Sequence, residues 1–267
     1  MGQLQMYLAF SRSSFRRAAA YRFDAWTRVF SNFIFLFIWG VIWYGLYLDK
    51  NIVAGVSFQS MLSYIFVSQM LQGIHSAGTP LWEIQEKVRT GDIVMELIRP
   101  YDYPLRALFS DLGSIAFHML TAVLPLYVLL FWWFHLQVPY TFSQWFLFIF
   151  SAILGFLIRF SIELIFGLFT FWLVETGGVE DIFYFSISLF SGSVVPLWFF
   201  PDWLETLARF LPFQGIFFVP NAIFVEKLAG PEAISAIFIQ LFWVLVSFFV
   251  LRFVWRKVSQ KVTVQGG

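Results

Sequence analysis

Long uncharged stretches, broken by short polar blocks, set the pattern of this chain. Windows free of Asp, Glu, Lys and Arg cover 29–48, 51–82, 112–141, 182–201 and 233–251, and the run 142–174 carries only Arg159 and Glu163. A bilayer core about 30 Å thick is crossed by roughly 20 apolar residues in a helix. The pattern therefore predicts an all-α integral membrane protein with six transmembrane helices, at 29–48, 58–79, 111–134, 144–173, 182–199 and 232–254.

The segments between these windows have their own periodicity. In the first 28 residues Leu4, Tyr7, Leu8, Phe15, Ala18 and Ala19 share one helical face, with Arg12, Arg16 and Arg17 beside or behind it. That predicts an amphipathic helix in the headgroup region, or a plain topology signal. Between the second and third windows, Thr79 is a candidate N-cap and Pro80 suits a first helical position. Leu81, Ile84 and Val88 then recur at helical spacing, Glu83 and Lys87 form an i,i+4 pair, and Gly91 is placed to stop the helix. A second short segment runs from Asp92 to Ile98 and ends at Arg99-Pro100. After the fifth window, Asp202 and Glu205 resemble a capping box, with Trp203, Leu207 and Phe210 on the apolar face. Pro212, Gly215 and Pro220 then break the chain, which predicts short re-entrant helices in the outer leaflet, shielded by protein.

Composition sharpens the class. The chain is 60% hydrophobic and 12% charged, against roughly 45–50% and about 25% in soluble domains. It has no Cys, which removes disulfides and thiolate metal sites. The first apolar run follows Arg12, Arg16, Arg17, Arg22 and Arg28, and Ala18-Ala19-Ala20 precede it, so the first span is expected to be retained and not cleaved as a signal. With the N-terminus in the cytoplasm, thirteen of the seventeen Lys and Arg fall on the inner side of a six-span topology. Both termini are then cytoplasmic. The connection carrying Glu175, Glu180 and Asp181 lacks a basic residue and is the weakest point of that topology.

Polar residues within the windows suggest two kinds of work. Ser60, Ser63, Ser68, Gln69, Gln72, His75, Ser76 and Thr79 cluster on about half of the second helix. They either line a cavity or join helices by hydrogen bonds. In the fourth, Ser151, Gly155, Arg159, Glu163 and Gly167 repeat every four residues, which allows close helix approach and an intramembrane Arg159–Glu163 ion pair. His75, His118 and His135 share no ligand spacing, so no metal site is expected. No GK[ST] phosphate loop, HExxH or GxSxG motif occurs, so no catalytic residue is assigned and ATP is not expected to bind this chain. Nucleic-acid binding has no support beyond arginines that topology explains.

The order of these features resembles the permease subunit of an ABC-2-type (type V fold) ABC exporter over nearly the whole chain. "FRRAAAYRFDAWTRVFSNFIF" at 15–35 and "RTGDIVMELIRPYDYPL" at 89–105 resemble a bacterial branch in which G-(D/E)-[I/L]-x-x-x-L-[I/L]-R-P follows the second span. The resemblance implies a single transmembrane domain over 1–267, in the bacterial inner membrane. Its parts would be an interfacial helix (1–28), two spans (29–79), a cytoplasmic coupling region (80–107), three spans (108–199), an external re-entrant segment (200–231), a last span (232–254) and a cytoplasmic tail (255–267). It also implies a separate ATPase subunit, two copies of which hold ATP and Mg and drive two permeases, either a homodimer or a heterodimer with a sister permease.

By the same resemblance Trp82, Glu83, Glu86, Lys87 and Arg89 would transmit nucleotide-driven motion, while Gly91, Asp92, Arg99 and Pro100 lie on the return to the third span. Ser63, Gln69, Gln72, Phe183 and Ser186 would line the path, and Trp203, Phe210 and Pro212 would belong to an external gate. The 37 Phe and 12 Trp lean toward an apolar or aromatic cationic substrate over a bare ion, in keeping with a hydrophobic or amphipathic, drug-like molecule, with a lipid-linked glycan or an ion as alternatives. A membrane-embedded lipid enzyme using Glu163 or His118, and a non-catalytic scaffold, are the competing classes.

Overall fold

The computed structural model describes residues 3–20, 22–48, 50, 52–78, 81–99, 101–134, 136–173 and 177–265. Apart from one two-stranded hairpin their regular structure is helical: α1 (Gln3–Ala20), α2 (Arg22–Tyr47), β1 (Ile52–Val53), β2 (Val56–Ser57), α3 (Phe58–His75), α4 (Leu81–Thr90), α5 (Ile93–Ile98), α6 (Tyr103–His118), α7 (Leu124–Phe134), α8 (Phe142–Phe169), α9 (Gly177–Phe190), α10 (Asp202–Phe210), α11 (Phe218–Phe224) and α12 (Gly230–Gln265). A π-helical turn, Met119–Val123, joins α6 to α7 as one continuous rod.

The expectation of six spans with an interfacial helix, a coupling helix and re-entrant helices is corrected. Among the described residues three helices are long and apolar enough to cross a bilayer: Tyr103–Phe134, Phe142–Phe169 and Gly230–Gln260. The other windows add, among the described residues, no further helix that is both long and apolar enough. α2 is 26 residues long, and the apolar run found among its described residues is Phe33–Tyr47. α3 has 18 residues, about 27 Å, and its uncharged Ser and Gln positions make it a largely buried helix. α9 stops at Phe190 because the chain turns through Gly192, whose φ of 72° suits a residue without Cβ. Pro196 and a 3-10 turn at Leu197–Phe199 follow. The molecule remains a membrane-embedded protein with several apolar helices.

Local chemistry fixes where the long helices begin. Asp102 caps α6, its Oδ1 accepting from Leu105 N at 3.0 Å, and Thr141 caps α8 by accepting from Gln144 N at 3.3 Å. The predicted capping box at α10 does not form: Asp202 is already the first helical residue, and no side chain caps that end. Instead Glu205 pairs with Arg209 at 2.8 Å.

The bundle has two chemically different ends. At one, Tyr103 stacks on Trp255 at 5.1 Å, and Asp102 pairs with Arg252. There α1 runs along α6, with Tyr7 on Phe109 and Phe15 on Phe117, each at 5.4 Å. Gly113 makes this approach possible, because a Cβ there would collide with the backbone of Ser11. α1 is thus packed on a helix of the bundle and does not lie alone on a surface. At the other end Lys227 Nζ donates to Ala54 O in the hairpin turn at 3.3 Å, and Tyr140 N donates to Glu226 Oε1 at 3.0 Å. Between the ends α11 is buried throughout, and Phe224 touches the rings of Phe131, Trp145 and Phe148.

Candidate functional site

The end built from α1, α4, α6 and α12 gathers most of the charge. Arg12, Arg16, Arg17, Lys87, Arg89, Arg99, Arg106, Arg252, Arg256 and Lys257 all belong to segments that meet there. Distance along the chain hides this clustering, because α12 returns to α6 across 150 residues.

α4 sits against α8 by its apolar edge. Leu81 and Ile84 are buried, and a Cβ added at Gly167 would lie 2.5 Å from Ile84 Cγ2. A glycine here lets the two helices touch through backbone and methyl groups. The Leu81 N–H, one of the unpaired donors at the start of α4, bonds to the Glu163 carboxylate. Arg159 Nε stands 3.6 Å from Glu163 Oε2, one turn away on α8. So a carboxylate inside the bundle is tied both to its own helix and to the first turn of α4. A polar pocket opens beside it, lined among others by Arg17, Glu83, Lys87, Arg106, Asp111 and Glu163.

The outer side of α4 is free of such ties. Glu83 and Lys87 pair at 3.0 Å, and Glu86 and Arg89 are exposed. The helix ends at Gly91, whose φ is 82°, and Thr90 Oγ1 donates to Asp92 Oδ2 at 2.9 Å. Asp92 and Arg99 are exposed. The side chain of Trp82, together with Thr79, Pro80, Pro100, His135 and Glu175, lies outside the described residues, as do the side chains of Arg22, Arg28 and Lys261.

A second network, not foreseen from the sequence, locks this end. Arg106 Nη1 meets Glu96 Oε1 at 2.9 Å, Tyr101 OH donates to Glu96 Oε2 at 2.6 Å, and Arg99 Nη1 donates to Tyr101 OH at 3.1 Å. Burial first, then the bond to Glu96, push the Tyr101 hydroxyl above its ordinary pKa, so it stays a donor. Tyr7 OH accepts from Asp102 N at 3.2 Å, which attaches α1 to the same loop. The Asp-x-Pro start of α6 was a readable signal; the partner on α12 was not.

The proposed path residues are distributed as follows. Ser63 and Gln69 are buried, and Ser63 donates to Gln59 O within its helix at 3.0 Å. Gln72 is half-buried, Phe183 is buried against Phe166 at 5.5 Å, and Ser186 donates to Ile182 O at 2.7 Å. On the same polar side of α3, Ser68 and Tyr64 bond the carbonyls of Ser193 and Gly192, and Ser60 bonds Gln137. These side chains join segments. In the proposed gate, Trp203 and Phe210 are 70% and 75% exposed, and Pro212 opens a 3-10 turn. His75 is buried with its ring 5.1 Å from that of Phe217. Among the described residues no group of three or more His, Asp or Glu could hold a metal ion.

Residues 33–266 match the family described as "ABC-2 family transporter protein". Among curated proteins, none matches.

Proposed function

The chain belongs to the ABC-2 family of transporter proteins and is thus a permease and not an enzyme, and on that premise we propose that it is the membrane subunit of an ATP-driven exporter. The exported molecule is a hydrophobic or amphipathic small compound. The whole of 1–267 works as one transmembrane domain, with ATP and Mg held by two copies of a cytoplasmic ATPase subunit. A second permease, identical or a sister chain, completes the assembly.

One observation carries this reading: α4 presents two different faces. Its apolar edge rests on Gly167 and its first turn is held by Glu163, while Glu86 and Arg89 point away from the bundle. Such a helix is firmly linked to a membrane-crossing helix and open to a soluble partner. Movement of a docked ATPase then shifts α8 through the Ile84–Gly167 contact, biasing one arrangement of the bundle over another. The basic end faces the cytoplasm, since Lys and Arg flanking membrane helices are retained on that side. The multi-pass chain sits in the bacterial inner membrane with its N- and C-termini on the same cytoplasmic side.

The test is co-purification with the ATPase encoded beside this gene. Glu86→Arg with Arg89→Glu is expected to abolish co-purification and permease-stimulated ATP hydrolysis while leaving membrane insertion intact. Unchanged association and unchanged hydrolysis would remove α4 as the docking element.

A further inference from the structure

At the end opposite the basic one, a groove of about 450 Å³ runs between α12 and residues 209–219. That volume lies within the usual size of small-molecule sites, roughly 300–1,000 Å³. Its α12 wall is formed by Glu232, Ser235, Ala236, Ile239, Gln240 and Trp243, with Glu232, Ser235, Ile239 and Trp243 spaced by three, four and four residues along one stripe. The stripe is polar where α12 starts and apolar deeper in. Depth is set by Gln240, whose Nε2 donates to Gly215 O at 2.8 Å. That residue lies ten positions beyond Gly230, about 15 Å along the helix.

The charges in the groove are not balanced. Arg209 is matched by Glu205 at 2.8 Å and lies over the Phe218 ring at 5.3 Å. Glu232 takes part in none of the ion pairs among the described residues. The groove therefore offers at its mouth one carboxylate, in the first turn of α12, with no cationic side chain paired to it among the described residues. Below it are aromatic and aliphatic side chains, and the two amides there, Gln214 and Gln240, are already bonded to Arg209 O and Gly215 O. The complementary molecule has one positive charge on a bulky apolar body. An anion would meet Glu232 as a like charge.

We propose that this groove is a binding site for a lipophilic monocation, with Glu232 selecting the charge and Trp243 contacting the apolar body. The proposal rests on the exporter reading for the biological role of the site, but its test does not use the ATPase. The probes are tetraphenylphosphonium and tetraphenylborate, of similar shape and opposite charge. Binding to the full chain is measured by equilibrium dialysis in phosphatidylcholine nanodiscs, without nucleotide or partner. Saturable phosphonium binding is expected, weakened about tenfold by Glu232→Gln, with no saturable borate binding.

The chain has no Cys, so Ser235→Cys supplies a single thiol. Phosphonium should slow its reaction with a maleimide in proportion to occupancy. Equal affinity for wild type and Glu232→Gln, or a preference for borate, would overturn the proposal. So would quantitative disulfide formation between two Ser235→Cys chains, because a second copy would then fill the groove. A failure here leaves the α4 docking test untouched, and loss of ATPase association leaves phosphonium binding untouched.

Discussion

Gly167 of α8 lies directly against Ile84 of α4, with room for no methyl group: an added Cβ would come within 2.5 Å of Ile84 Cγ2. Gly167→Ala should force the helices apart, at a cost of about 1–3 kcal/mol for overpacking. Ile84→Ala in the same chain should recover much of that loss by removing the colliding methyl. Thermal unfolding in detergent measures the first effect, and ATPase co-purification shows whether the contact also transmits motion. Failure of the double variant to recover stability would mean that the strain lies elsewhere.

Asp102 has two duties that substitution separates. One oxygen caps α6, and the other pairs with Arg252. Asp102→Asn keeps a capping oxygen but loses the charge, and a partly exposed pair is worth at most about 1 kcal/mol. Asp102→Ala loses both, adding a cap loss of about 0.5–2 kcal/mol. The alanine variant should therefore unfold at a lower temperature than the asparagine one. Equal midpoints would show that the cap contributes nothing.

Gly113 decides whether α1 stays on the bundle. Gly113→Val places side-chain atoms where the Ser11 backbone runs, so α1 should detach, again with about 1–3 kcal/mol of lost packing. Limited trypsin digestion reports this as faster cleavage after Arg12, Arg16 and Arg17. A digestion pattern like that of the wild type would show that α1 tolerates the change by sliding.

Ser68→Ala tests whether the polar side of α3 joins segments or lines a passage. The hydroxyl donates to Ser193 O at 2.6 Å, and both residues are buried. Losing the donor should cost about 1 kcal/mol with little change in transported compounds. A changed substrate range at unchanged stability would favour the passage instead.

Much of the chemistry of this chain was legible, and much of its geometry was not. The four-residue repeat from Ser151 to Gly167 announced a helix face built for close contact. Its three partners could not be read: Ser151 bonds Gln240 at 2.8 Å, Gly155 meets the backbone of residues 215 and 216, and Gly167 meets α4. Gly91 read correctly as a stop because a positive φ is a local requirement. Helix lengths failed where absence of charge stood in for hydrophobicity: Ser and Gln make α3 a buried helix, and Gly192 cuts α9 short. The Asp102–Arg252 pair joins residues 150 apart, a distance at which no local pattern speaks. The family likeness was carried by the charged loop at 89–105 and by the order of segments; the match over residues 33–266 stands although the number of membrane-crossing helices is revised.

The π-helical turn at Met119–Val123 has a consequence for how this molecule tolerates change. A wider turn holds one residue more than the ordinary ladder, and one residue corresponds to about 100° of azimuth. The rod therefore shows one side to α1 below the turn, through Phe109, Gly113 and Phe117, and an independently phased side to α2 and α3 above it, through Val123, Tyr127 and Leu130. Deleting Thr121 would regularise the ladder yet swing one half out of step with its neighbours. A locally worse helix is what keeps two separate interfaces in alignment.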